Sequence, residues 1–131
     1  MANPFTGFLR SLRSERVGSE LDRFVAWWDV VEAIVVDVNR RGIATEEERA
    51  AYAEARAELL ANYEGVWAPR FAPHWPETRE VGRTTPGDPF PRILAAENAD
   101  GFVGNWPAMQ ALAAARETLN RYILSLEEKA L

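Results

Sequence analysis

SELDRFVAWWDVVEAIVVDVNRRG, residues Ser19 to Gly42, sets the architecture of this chain. Ser19 and Asp22 have the spacing of a capping box, with aspartate where Glu or Gln is usual. At the other end Arg40 and Arg41 complement the helix dipole, and Gly42 supplies a left-handed terminator. The spacing therefore predicts a helix over 19–41. Leu21, Phe24, Val25, Trp27, Trp28, Val31, Ile34, Val35, Val36 and Val38 cover more than half of its wheel. A helix apolar over so much of its circumference is central and packed on at least two sides.

Outward from this helix the pattern stays helical. Thr45 to Glu48 is a regular capping box that opens a helix, with Tyr52, Ala55, Leu59, Tyr63 and Val66 as its apolar stripe and Pro69 as its end. Toward the N-terminus, Asn3-Pro4 reads as a cap with proline at the first helical position. Phe5, Phe8, Leu9 and Leu12 follow at helical spacing, predicting a short amphipathic helix over 3–16, within an N-terminal segment 1–18. Toward the C-terminus, Asp88-Pro89 predicts a short helix running to about Ala96. Residues 98–101 read as a turn. Asn105 caps a last long helix striped by Met109, Leu112, Ala113, Leu119, Ile123 and Leu126.

One segment interrupts the pattern. Six of the eight prolines lie between Pro69 and Pro91, together with the only histidine, His74, and with Phe71, Trp75 and Phe90. A stretch of about twenty irregular residues inside a domain is uncommon and is usually functional or disordered. Its aromatics argue against disorder. The expectation is an all-α fold: a small helical bundle, single-domain over 1–131, of three long helices and two short ones. An ordered Pro- and aromatic-rich crossover loop, residues 69–88, would fold against it as a lid.

Composition limits the chemistry. The chain has 131 residues, 47% hydrophobic, and a net charge of −5. That charge argues against nucleic-acid binding, which normally shows a basic face. Without cysteine there are no disulfides, thiolate metal sites or cysteine nucleophiles, and one histidine excludes a metal site needing two imidazoles. No cofactor is expected. No segment approaches the roughly twenty apolar residues of a membrane span, and arginines at 10, 13 and 16 interrupt any signal-peptide core. A cytoplasmic protein is expected, with weak peripheral membrane contact through Phe5, Phe8, Leu9 and Leu12 as a third, minor reading.

Glu32 is the sharpest anomaly, because it falls inside the apolar arc between Trp28 and Val36. A buried carboxylate must be paired, hydrogen-bonded or protonated. It is either an acid–base group with a raised pKa or the partner of Arg116, Arg121 or a Trp or Tyr donor; the second is the commoner outcome. His74, held between prolines, is either a proton shuttle or anion grip, or an imidazole bonded to a nearby carbonyl. The latter is favoured, since no second catalytic group accompanies it. Trp67, Trp75, Phe90 and Trp106 could wall a pocket, or form the loop's own small core.

The leading expectation is a non-enzymatic protein acting through protein–protein contact, most simply with a second copy of itself. The alternative is a small-molecule-binding or enzymatic bundle. Its pocket would lie between helix 19–41 and the 69–91 loop, with Glu32, His74, Trp28, Trp67, Trp75, Phe90 and Trp106 as the binding residues.

Overall fold

A computed structural model describes residues 20–80 and 83–130 of the chain. The fold is all-α. The helix expected over 3–16, its apolar residues Phe5, Phe8, Leu9 and Leu12, and the capping Ser19 lie outside the described residues. The described residues group into two compact units. The first holds the chain through Ala61 together with Ala96–Trp106; the second holds Asn62–Ala95 together with the chain from Pro107 onward.

The first unit is built on helices α1 (Glu20–Arg41) and α2 (Glu46–Ala61), joined by a short turn. Gly42 ends α1 at φ +81°, a left-handed conformation that costs glycine least, and its N–H donates to the Val38 carbonyl at 2.8 Å. α1 buries Phe24, Trp27, Trp28, Val30, Val31, Ile34, Val35 and Val38. The capping box opens α2 as the spacing requires: the Thr45 hydroxyl accepts from Glu48 N at 3.1 Å, and the Glu48 carboxylate accepts from Thr45 N at 2.9 Å. The same carboxylate accepts from the Arg41 guanidinium at 2.7 and 3.3 Å. Burial alone pushes the Glu48 carboxyl up. The Arg41 and Thr45 bonds outweigh it and hold the group below its ordinary value. Thr45→Ala removes one orphan-donor partner at the helix start and is expected to cost about 1 kcal/mol. Urea unfolding measures it, with Thr45→Ser close to the parent.

A 3₁₀ turn (Ala99–Phe102) completes this unit. Three contacts fix it to the helices. Asn39 donates to the Phe102 carbonyl at 3.2 Å, Arg49 forks onto Asp100 at 3.0 to 3.2 Å, and the Phe102 ring meets Tyr52 edge-on at 4.9 Å. The Tyr52 hydroxyl, its pKa pushed up to about 12 by burial, donates to the Ala96 carbonyl at 2.5 Å.

In the second unit the chain does not break at Pro69. A π-helical turn (Tyr63–Trp67) leads into helix α3 (Ala68–Phe71) and a 3₁₀ turn (Ala72–His74). Pro69 sits in the first turn of α3, where its missing N–H has no helical partner to lose. The wider π turn also moves the apolar face on by one residue, so that Trp67 is buried and Val66 only partly so. The segment expected to be irregular is thus largely regular. It continues as a short antiparallel hairpin, β1 (Glu77–Glu80) with β2 (Arg83–Pro86), pairing Glu77 with Pro86 and Glu80 with Arg83.

Helix α4 (Phe90–Leu94) and the long helix α5 (Trp106–Ala130) complete the described elements. α5 buries only part of the expected stripe, at Leu112 and Leu119, with Met109 and Ile123 half-buried. Its buried positions are Ala108, Ala111, Leu112, Ala115, Thr118 and Leu119, while Ala113 and Leu126 are exposed. Three alanines therefore share that face with Leu112, Thr118 and Leu119.

Candidate functional site

The seven residues expected to bind a ligand fall into two groups. Trp28 and Glu32 belong to the first unit, one helical turn apart on α1. The Trp28 indole N–H donates to Glu32 Oε2 at 3.1 Å. Trp28 is fully buried and Glu32 half-buried, so one of the donors foreseen for this carboxylate is in place. Trp106, the last residue of the first unit, is 62% exposed.

His74, Trp67, Trp75 and Phe90 belong to the second unit, where Trp67 and Phe90 flank a residue not singled out as a ligand contact, Phe71. The Phe71 ring stacks on Trp67 (centroids 5.6 Å, 28° between planes) and on Phe90 (5.3 Å, 27°), and meets Tyr122 of α5 edge-on at 5.2 Å. His74 packs against the same Tyr122 at 5.9 Å, and the Arg70 guanidinium covers the outer side of Trp67 at 5.1 Å. Phe71 and Phe90 of the Pro-rich segment therefore meet each other, with Trp67 before the segment and Tyr122 of α5. Trp75 is half-buried, and its indole N–H has no hydrogen-bond partner among the described residues.

The most unusual chemistry of this unit lies at Tyr63 and Asp88. The Tyr63 hydroxyl is 2.6 Å from both Asp88 carboxyl oxygens, and Phe90 N donates to Oδ1 at 3.0 Å. Burial pushes the Asp88 carboxyl above its ordinary value, against the opposing pull of the Tyr63 and Phe90 bonds. Burial and the neighbouring carboxyl push the Tyr63 phenol up as well. Tyr63 read in sequence as one more stripe residue and Asp88 as a helix cap. Asp88 does accept from Phe90 N, the first residue of α4, although Pro89 holds the cap position. Its second role depends on the π turn that presents Tyr63, and no sequence period signals such a turn.

Next to Asp88 a groove of about 220 Å³ opens between the Gly87–Pro89 bend and α5. Pro107, Gln110, Ala111 and Ala114 form its helical side at i, i+3, i+4 and i+7, and Arg92 of α4 stands at its edge. A shallower depression of about 520 Å³ lies farther along α5, between Arg116, Glu117, Asn120, Arg121 and Leu124. Among the described residues no three His, Cys, Asp or Glu side chains are grouped to hold a metal ion. No helix among them is long and apolar enough to cross a membrane. The chain matches no protein-family model, no curated protein and no solved structure.

Proposed function

We propose that this chain is a non-enzymatic cytoplasmic helical protein that works through protein–protein contact, beginning with self-association. Trp106 carries the reading. It is 62% exposed at the start of α5, and the same unit also exposes Ile43 (58%) and Val103 (44%). Single exposed aliphatic residues are common on monomers, but tryptophan is normally well buried. Tryptophan is also among the residues that most often dominate binding energy at interfaces.

Sedimentation velocity on the full chain tests this. A species of two or more chains is expected at micromolar concentration. Trp106→Ser, a change at a solvent-facing position that leaves the folded core intact, is expected to weaken association by about tenfold or more. A parent chain that remains monomeric throughout, or a Trp106→Ser chain that associates unchanged, would overturn the reading.

A further inference from the structure

The groove beside Asp88 has a feature that packing alone does not require. Its edge carries a guanidinium and a carboxamide, Arg92 and Gln110, and neither side chain makes a hydrogen bond or ion pair among the described residues. No acidic side chain lines it. The nearest candidate in sequence is Asp88, between the lining residues Gly87 and Pro89 and four positions before Arg92. At that spacing an aspartate facing outward would pair with the arginine. Instead Tyr63 and Phe90 N hold the Asp88 carboxyl on the inner side of the bend. The groove therefore keeps one uncompensated positive charge over a mainly apolar floor.

We propose that this groove binds a small monocarboxylic acid with a short aliphatic body. Its carboxylate takes two parallel N–H bonds from the Arg92 fork, with the Gln110 amide as a further donor. The body lies over Ala111 and Ala114, between the rings of Pro89 and Pro107. Three observations set this class. A volume of about 220 Å³ lies below the usual range of about 300–1,000 Å³ for ligand pockets, which suits an acid of only a few carbons. The two proline rings and two alanine methyls give an alkyl chain an apolar surface and give a second charged group no partner. A single cation suits a monoanion, whereas phosphoryl groups are usually held by several donors or a glycine-rich loop, both absent from the residues lining this groove. The inference is independent of self-association, which rests on Trp106 in the other unit.

The test is a titration of the uniformly ¹⁵N-labelled full chain with isovalerate, with isovaleramide as its neutral counterpart and inorganic phosphate as a plain anion. Saturable shifts are expected at the amides of Gly87, Arg92, Gln110, Ala111 and Ala114 and at the Arg92 side-chain N–H, at millimolar isovalerate. Isovaleramide is expected to bind at least about tenfold more weakly, as loss of one charge-assisted contact implies, and phosphate by a similar factor, because it has no alkyl body to cover the apolar floor. Arg92 is exposed and unpartnered, so Arg92→Gln keeps the fold; it is expected to weaken isovalerate by a similar factor. Arg92→Lys, which keeps the charge but loses the fork, falls between. Equal binding of the neutral amide, isovalerate affinity unchanged in Arg92→Gln, or no saturable shift in the parent chain would each overturn the proposal.

Discussion

Phe71→Ala is expected to cost the fold about 3–5 kcal/mol, a large share of the 5–15 kcal/mol by which domains are usually stable. Phe71 is fully buried, and its ring is the shared member of three aromatic pairs, with Trp67, Phe90 and Tyr122. Truncation removes the transfer energy of the ring and leaves a cavity lined by large, stiff side chains that cannot collapse into it. It also removes pair interactions worth about 0.5–1.5 kcal/mol each beyond burial. Phe71→Leu separates these contributions: it keeps most of the volume and is expected to lose about 1–2 kcal/mol. Urea unfolding followed by tryptophan fluorescence provides the measurement, since Trp67 reports from within the cluster. A loss below about 1 kcal/mol for the alanine variant would mean that the Pro-rich segment is not packed on a core of its own.

That cluster marks the boundary of what local sequence could say. Signals that act over one turn were legible: the Thr45–Glu48 box and the Gly42 terminator form as their spacing predicts, whereas the helix expected from Asp88-Pro89 starts one residue later, with Pro89 at its cap position. The apolar arc of α1 was legible in most of its positions: seven of its ten residues are buried, while Val36 is exposed and Leu21 and Val25 are half-buried. Pro69 misled, because proline stops a helix from within and starts one equally well, and only the preceding geometry decides. The face of α5 was misjudged in part, because hydrophobicity weights Met109 and Leu126 above Ala108, Ala111 and Ala115, which are the buried ones. The Tyr63–Asp88 pair joins residues 25 positions apart across a π turn, and no local period encodes such a meeting.

The same pair gives the second unit an expected pH dependence opposite to the usual one. Most carboxyls that matter to a fold are held below their ordinary pKa, so their contribution is lost in acid. Glu48 follows that rule: its contribution is present above the unfolded value, about 4.3, and is lost only as pH falls through its lower folded value. Asp88 is displaced upward, chiefly by burial. Its favourable contribution is complete below the unfolded aspartate value, about 3.9, and is lost as pH rises through the folded one. Between the raised folded value of Asp88 and about pH 4, acidification is therefore expected to stabilise the second unit through Asp88 while Glu48 is still ionised. Asp88→Asn keeps an acceptor for Tyr63 and Phe90 N but cannot ionise. It is expected to match or exceed the parent at pH 7 and to lose the slope. Tyr63→Phe withdraws a donor from the half-buried carboxyl and is expected to cost about 1–3 kcal/mol, more at pH 7 than at pH 4.5. Urea midpoints at the two pH values measure both. His74→Gln removes the only histidine, so a slope that survives in it belongs to carboxyl groups. If Asp88→Asn retains the parent's slope over this window, the pH response does not originate at Asp88.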